Sequence, residues 1–384
     1  MNAVLVVLAV VVLIPGAATA LHLGLLAVGS LLYRVPPKPK SVPPVRFLIL
    51  VPAYNEEKVI GDTLDALTAD MRPRDQLVVV ADRCTDATAA IARAAGALVL
   101  ERGADEEPGR AAARQAGVEY AMSLEWDAMV MVDADSIIER GFFDECEAAL
   151  ARGAEALQAR SEAAIGPGLL DQAALASFAM QGVLMPRGRS RLHLLVRLRG
   201  TGMVLARRIV TQFQFRAPAS EDLWYSLDLC LAGLRPAHVE TARLRSLSVA
   251  TWEAAGDQRI RYEAGRMSAA REFARPLLRR HDFASLEAAW FLLTPPFAVA
   301  VFCVVAAAAL AWLAGATVLA FVGLGFLALL TATLAVALVQ AGAGARTWLG
   351  LAIAPWYVPW KAVIQIRALL RLRTRDRAFG ATPR

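Results

Sequence analysis

The stretch RFLILVPAYNEEKVIGDTLDAL, residues 46–67, changes character at Pro52. Residues 47–51 are apolar throughout, as in a strand buried on both faces, and beyond the polar loop Val59, Leu64 and Leu67 recur at helical spacing from about Lys58. The same order returns in QLVVVADRCTDATAAIARAAG, residues 76–96, which predicts a strand over 77–81, a turn bearing Asp82 and Asp86, and a helix over 87–95. A short strand over 97–100, a helix around 110–123 and a strand over 128–132 follow. Buried strands alternating with amphipathic helices predict an α/β fold with a Rossmann-like, mainly parallel sheet covered by helices. In such sheets ligands bind at the carboxyl ends of the strands.

The last of these strands runs into carboxylates in MVMVDADSII, residues 129–138. Asp133 and Asp135 repel one another, so the pair implies a shared cation, a shared proton or two solvated turn acids. Asp82 stands at a second strand end, which moves all three acids toward one site. Such a pair can hold Mg2+ or Mn2+ through one or two carboxylates, with a diphosphate and water completing the shell. No G-x-G-x-x-G and no Walker pattern follows the first strand, which disfavours dinucleotide binding and P-loop chemistry.

Two further segments carry chemistry. FRAPASEDLWYSLDLCLAGLRP, residues 215–236, places Glu221 and Asp222 before a helix with Leu223, Leu227 and Leu231 on one face. Ser220 and first-turn acids can cap such a helix, and a carboxylate fixed there can also act as a general base. WEAAGDQRIRYEAGR, residues 252–266, groups Gln258, Arg259, Arg261, Arg266, Trp252 and Tyr262. Guanidinium forks suit phosphate oxygens and aromatic faces suit sugars, while the same composition suits an amphipathic membrane-surface helix.

Of the 384 residues, 57% are hydrophobic, and the excess is concentrated. Residues 4–32 and 288–345 contain no charged side chain. The first run predicts a retained membrane anchor rather than a cleaved signal, because no basic residue precedes it. The second is about twice the roughly 20 residues that one span needs and predicts a helical hairpin turning near Ala314 and Gly315. Residues 347–360, with Pro355 and Pro359 among three Trp and one Tyr, suit an interfacial or re-entrant segment. Arg34, Lys38, Lys40 and Arg46 follow the first span, Arg346 follows the hairpin, and residues 361–384 hold seven basic residues against Asp376, which predicts a cytoplasmic catalytic domain on the inner membrane. A basic tail beside a Trp-rich stretch fits anionic headgroups, so the net charge of +6 is no sign of nucleic acid. The four cysteines show no metal-ligand spacing.

Taken in order, these motifs resemble the membrane-anchored family 2 glycosyltransferases of GT-A fold, the group of cellulose, chitin and hyaluronan synthases and bacterial exopolysaccharide transferases. The likeness runs over about residues 47–266. It implies a nucleoside pocket lined by Pro52, Ala53, Tyr54 and Glu56, with Asp82 on the base or ribose, Asp133 near ribose or donor sugar, and Asp133 and Asp135 as the metal motif. SED resembles the family's T-E-D, which implies Asp222 as base beside Glu221. QRIRY resembles Q-x-x-R-W with Tyr262 in place of Trp, implying diphosphate and acceptor contacts from Gln258, Arg259, Arg261 and Tyr262. LRGTGM, residues 198–203, resembles the acceptor-side loop with Gly200, Thr201 and Gly202. Where the family often has Gly-Lys and then Asn, this chain has Arg110, a candidate nucleotide contact, and Arg114.

The resemblance implies an inverting, Mg2+- or Mn2+-dependent hexosyltransferase. It would move a sugar from a nucleoside-diphosphate sugar, a UDP-sugar foremost, to a lipid-linked or glycan acceptor. A processive polysaccharide synthase and a silent nucleotide-sugar-binding scaffold are the alternatives. The expected organisation is an anchor over 1–33, a Pro-rich linker over 34–45, a GT-A domain over 46–285, a membrane hairpin over 286–345, and an interfacial segment with a basic tail over 346–384. Eight Arg and no acid between residues 187 and 216 suggest a membrane-facing belt for a lipid phosphate, with Arg187, Arg189 and Arg191 at its head.

Overall fold

The structure is a computed structural model that describes residues 2–163, 175–216, 220–246 and 252–351. Strand β1 (Phe47–Ala53) is buried on both faces. Its alternate side chains enter different cores, as the two-residue period of a strand requires. Phe47, Ile49 and Val51 pack with Ile60, Leu64, Phe142 and Cys146 on one face. Leu48 and Leu50 pack with Ala113, Val118 and Trp126 on the other. Burial on both faces is why the strand reads as an unbroken apolar run.

Helix α1 (Ala3–Leu31) precedes this strand. After β1 come α2 (Ile60–Asp70), β2 (Gln76–Asp82), α3 (Thr88–Ala94), β3 (Leu98–Arg102), α4 (Arg110–Ala121) and β4 (Ala128–Met131). Then follow β5 (Ser136–Ile138), α5 (Phe142–Ala151), β6 (Ala156–Ala163), β7 (Met203–Ala206) and β8 (Ala237–Ser246). The eight strands form one sheet in the order β3-β2-β1-β4-β7-β6-β8-β5. Its first four strands are parallel. β7 runs antiparallel to both β4 and β6, β8 is parallel to β6, and β5 is antiparallel to β8. The sheet is therefore parallel in one half and mixed in the other. β6 and β8 carry Arg, Glu and Gln within ALQARSEA and AHVETARLRS, so they lack the apolar run that marks the first half.

α1 and the helix Thr317–Gln340 are long and apolar enough to cross a membrane. At 29 residues α1 is about 43 Å long, more than a hydrocarbon core of about 30 Å. The helices Phe283–Leu293 and Phe297–Leu313 make a third candidate if they form one span, bent by 68°. The bend falls at Thr294, Pro295 and Pro296, where proline removes a backbone donor and excludes the α conformation of the residue before it. A turn with Gly315 at φ 72° joins Phe297–Leu313 to Thr317–Gln340. The helix Ala345–Gly350 follows, and residues 352–384, with the rest of the expected interfacial segment and the basic tail, lie outside the described residues.

The apolar helices and the catalytic region share one core. Leu23 and Leu26 of α1 pack with Leu184 and Met185, Ala300, Val304 and Leu338. Leu184 ends the π-helical turn Ala179–Leu184, and Met185 begins the helix Met185–Arg191. Small residues set the closest approach: a Cβ on Gly29 would lie 3.0 Å from the Gly188 carbonyl oxygen, and one on Gly188 would strike the Leu26 backbone. Gly188→Leu is expected to separate α1 from this helix at a cost of about 1–3 kcal/mol. It should lower the melting temperature in detergent, whereas Gly325→Leu, where a Cβ meets nothing within 4 Å, should not. Equal melting of the two variants would show that this contact does not hold the parts together.

Candidate active site

The parallel half of the sheet brings the ends of β1, β2 and β4 to one edge. Pro52 and Ala53 end β1, and the loop beyond them is stitched to the loop after β2. The Glu56 amide donates to Thr88 Oγ1 at 2.8 Å, the Glu57 amide to Asp86 Oδ2 at 3.1 Å, and the Thr85 amide to Asn55 Oδ1 at 2.8 Å. Asn55 takes a left-handed conformation (φ 53°), tolerable for a residue that bonds its neighbours locally. Tyr54 stays exposed, with the Arg83 guanidinium 5.5 Å from its ring centroid. Asp82, at the end of β2, is buried and accepts from Arg102 Nη1 at 2.6 Å and Arg83 Nε at 3.3 Å.

The Asp133 to Asp135 segment leaves β4 between two restraints. Thr63 Oγ1 donates to the Ala134 carbonyl at 2.8 Å, and the Asp133 amide donates to Thr201 Oγ1 at 3.2 Å. Thr201 Oγ1 in turn donates to Ser136 Oγ at 3.0 Å. Asp133 accepts from Arg110 Nη1 at 3.2 Å and from Arg114 Nη2 at 2.9 Å. Asp133, chiefly, holds the Arg110 guanidinium firmly charged, above its ordinary value. Asp135 is buried, with Ser136 Oγ 3.4 Å from its Oδ1.

Arg114 joins these parts. Its side chain is fully buried and donates to Glu221 Oε1 at 2.5 Å, Asp133 Oδ1 at 2.9 Å and the Gly200 carbonyl at 2.7 Å, while its Nε has no partner among the described residues. One guanidinium thus ties the end of β4, the loop before β7 and the start of the helix Glu221–Leu231. The sequence showed Arg114 only as a departure from a motif. Its position in α4, one turn after Arg110, gives its importance a local signal in retrospect.

Glu221 and Asp222 open their helix, and both are buried. Ser220 sits before them in the left-handed region (φ 59°) and makes no side-chain cap, so the capping expected of it does not form. The first turn is held by Asp222 instead, whose Oδ1 accepts from the Leu223 amide at 2.7 Å. Gly200, with φ 80°, leaves room for the other oxygen: a Cβ there would lie 3.4 Å from Asp222 Oδ2 and 3.3 Å from Arg114 Nη2. Burial, and then the Glu221 charge, push the Asp222 carboxyl up to about 6. Gly202, at φ 67°, completes the loop, and Gln158 closes it from β6 by donating to the Thr201 carbonyl at 3.0 Å and accepting from the Arg199 amide at 2.8 Å.

Tyr262, in the long helix Trp252–Arg280, is 49% exposed and within electrostatic reach of Asp222, Arg110, Arg199 and Asp133. Arg261 precedes it on the same helix and is partly buried. The side chains of Gln258 and Arg259 lie outside the described residues. The structure thus brings Asp133, Arg110, Arg114, Gly200, Thr201, Glu221, Asp222 and Tyr262 into one neighbourhood.

Among the described residues, no group of three or more His, Cys, Asp and Glu forms a metal cage. The donor set at hand is the Asp133 and Asp135 pair. It fits a hard cation that takes one or two protein carboxylates and fills its remaining positions with phosphate oxygens and water.

Arg187 and Arg189, at the head of the basic run, face internal acids and not the lipid expected of them. Arg187 donates to Glu240 at 2.9 and 2.5 Å, and Arg189 donates to Glu287 at 3.0 and 2.8 Å. Both acids lie far away in sequence, which hid the pairing. His22 of α1 shares Glu287 at 2.8 Å, a polar partner for which the apolar run held no signal beyond one histidine.

Replacing Arg114 by Met leaves the Glu221 carboxylate and the Gly200 carbonyl buried without their donor, at about 3–5 kcal/mol. Lys should rescue the loss poorly, since an ammonium cannot span three acceptors as a planar fork does. Urea unfolding of the detergent-solubilised protein measures both. A loss under about 1 kcal/mol in Arg114→Met would show that the cluster is incidental.

A family model described as "Glycosyltransferase like family 2" matches residues 43–265. No curated protein matches. Among solved structures, a mannosyltransferase from Pyrobaculum calidifontis in complex with GDP-Man and Mn2+ is similar over 97% of this chain and 99% of its own, with a TM-score of 0.55 and 16% identity. Glucosyl-3-phosphoglycerate synthase from Mycobacterium tuberculosis, in complex with Mn2+, uridine diphosphate and phosphoglyceric acid, is similar over 60% of this chain and 78% of its own, with a TM-score of 0.43 and 20% identity. The first likeness is one of fold, and it extends through the terminal apolar helices as well as the sheet. With the family model covering more than half of its length, this chain belongs to the family 2-like glycosyltransferases and has the GT-A fold.

Proposed function

We propose that this glycosyltransferase moves a sugar, with inversion, from a nucleoside-diphosphate sugar to a hydroxyl on a membrane-associated, lipid-linked acceptor. The observation that carries the reading is the Asp222 carboxyl, buried at a helix start and raised to about 6. A carboxylate of that basicity, with one oxygen held by the Leu223 amide and the other facing Gly200, suits proton abstraction near neutral pH. Asp222 accepts the acceptor's proton as its oxygen attacks the anomeric carbon and the nucleoside diphosphate departs. Glu221, bound by Arg114, lies beside Asp222 and contributes, after burial, to raising it.

The other roles are assigned on position. Pro52, Ala53, Tyr54, Glu56 and Asp82 line the strand edge where a nucleoside would lie, and Asp133 faces ribose and sugar with Arg110 beside it. Asp135, with Asp133, would hold Mg2+ or Mn2+, which when bound offsets charge on the departing diphosphate. Gln258, Arg259, Arg261 and Tyr262 are assigned to diphosphate and acceptor, and Gly200, Thr201 and Gly202 shape the acceptor side. The neighbour crystallised with GDP-Man and Mn2+ supports a guanosine donor as readily as a uridine one. Residues 46–285 are proposed as the catalytic domain on the cytoplasmic side, held by the anchor and by the helices after residue 286. Two or three candidate spans among the described residues favour single transfer over polymerisation through a self-built channel.

The test is nucleoside diphosphate release from UDP- and GDP-sugars by purified protein in native lipid, with wild type and Asp222→Asn. The variant should lose at least about 100-fold in rate and keep the thermal shift produced by nucleoside diphosphate with Mn2+. Normal turnover by Asp222→Asn would remove the base assignment. The wild-type rate should fall as pH drops through about 6, where Asp222 takes up its proton.

Stability carries the opposite sign. The folded pKa of about 6 lies above the ordinary 3.8, so folding favours the protonated group, and that stabilisation is complete below 3.8 and lost as pH rises through 6. Asp222→Asn should therefore raise stability at pH 7.5 by on the order of 3 kcal/mol and lose that advantage below about pH 4. Equal stability of the two proteins at pH 7.5 would contradict the buried, raised carboxyl.

A further inference from the structure

Among the described residues, Arg191, Arg197, Arg199 and Arg207 of the basic run take no part in the internal ion pairs; Arg191 is exposed and Arg207 donates to backbone carbonyls, which leaves Arg197 and Arg199. Arg197 and Arg199 precede Gly200 on the loop before β7, and both are partly buried. Among the described residues neither has a carboxylate within ion-pair distance, and Arg197 Nε and Arg199 Nη1 are buried without a hydrogen-bond partner. The nearby acid Glu287 has its Oε1 already taken by Arg189 and His22. Burial, then the charge of Arg189, push the Arg197 guanidinium well below its ordinary value, and burial pushes Arg199 down. A guanidinium that keeps its proton without a counter-ion is costly to bury, so an anion from outside the chain is the natural partner.

Their surroundings narrow the anion. The Arg197 guanidinium lies 3.6 Å from the centroid of Phe291, in the helix Phe283–Leu293 that bends into the candidate span. The Arg199 guanidinium lies 5.3 Å from the Phe178 ring centroid, and a Cβ on Gly182 would be 3.0 Å from its Nη1. Gly200 follows the pair in the chain, where a Cβ would lie 3.4 Å from Asp222 Oδ2 and 3.3 Å from Arg114 Nη2, and Asp222 is within electrostatic reach of both arginines. The pair therefore stands between the candidate base and the apolar helices, whereas the donor-side groups Arg110 and Asp133 lie beyond Arg114. Two donor forks suit a phosphate with three acceptor oxygens, and the flanking phenyl faces suit an alkyl chain.

We propose that Arg197 and Arg199 bind the phosphate of an amphiphilic acceptor, holding it so that its reacting hydroxyl reaches Asp222 from the side of the helix Phe283–Leu293. The assignment rests on the transferase reading above and names the acceptor's chemical class: a phosphate carried on a lipid chain. It also relocates the acceptor site from Arg187 and Arg189, which are consumed by Glu240 and Glu287, to two partly buried arginines that have no acid within ion-pair distance among the described residues.

The test measures melting of the full chain in detergent with dodecyl phosphate, dodecanol, inorganic phosphate, or nucleoside diphosphate with Mn2+. Wild type should be stabilised by dodecyl phosphate, less by inorganic phosphate and not by dodecanol. Arg197→Gln with Arg199→Gln should melt no lower than wild type without ligand, since it removes buried unpaired charge, and should bind dodecyl phosphate at least tenfold more weakly. Each single variant should show part of that loss, and Arg191→Gln, at an exposed position, none. The proposal is overturned if the double variant keeps the dodecyl phosphate shift, or loses the nucleoside diphosphate shift instead, which would assign the pair to the donor. Equal stabilisation by inorganic phosphate and dodecyl phosphate would overturn the lipid assignment. A wild type unshifted by nucleoside diphosphate and Mn2+ would sink the transferase reading, while the dodecyl phosphate result would still judge the arginine pair.

Discussion

The buried guanidinium of Arg114 is the constraint on which the catalytic region depends. Its charge is removed from water entirely and is matched by Glu221 at 2.5 Å and Asp133 at 2.9 Å, with the Gly200 carbonyl as third acceptor. A buried charge is tolerable only when its partners are well placed, so three distant segments must meet for the fold to close here. Those segments carry the candidate metal pair, the acceptor-side loop and the candidate base. Stability and site assembly are thus one requirement at this position.

A similar device ties the catalytic region to the apolar helices. Glu240 of β8 accepts from Arg187, Arg160 and His238, and Arg187 belongs to the helix Met185–Arg191. That helix packs against α1 through Gly188 and sends Arg189 to Glu287, which also holds His22. Apolar packing brings the surfaces together, and paired charges choose the register, because a slipped arrangement would strand an acid in an apolar setting. The loop with Arg197 and Arg199 follows directly, so the same packing sets where those unpaired guanidiniums stand relative to Asp222.

The parallel half of the fold was legible because both faces of β1, β2 and β4 are covered, which demands unbroken apolar runs, and because turns after such strands collect acids. Asp82, Asp133, Asp135 and Asp222 were visible as carboxylates at strand and helix ends. β6 and β8 were not, since Arg160 and Glu240 are buried as a pair and buried pairs look like surface polarity in one dimension. The basic run misled for the same reason: spacing shows that Arg187 and Arg189 lack local acids, but not that Glu240 and Glu287 come to them. The bend at Pro295 and Pro296 likewise turns one apolar run into two helices at 68°.

Residue order alone determined the chemistry available: which strands are buried, where acids end them, which stretches are apolar enough for a bilayer, and which family the motifs belong to. These follow from local periodicity and from covalent neighbours, which need no knowledge of distant contacts. Tertiary structure alone decided the charge state of each group. Whether Arg114 is spent on Glu221, whether Asp222 is raised by burial, and whether Arg197 and Arg199 are left without an acid all depend on desolvation and on partners up to about a hundred residues away. Electrostatic energy depends on distance through space and on exclusion of water, and neither quantity is written along the chain.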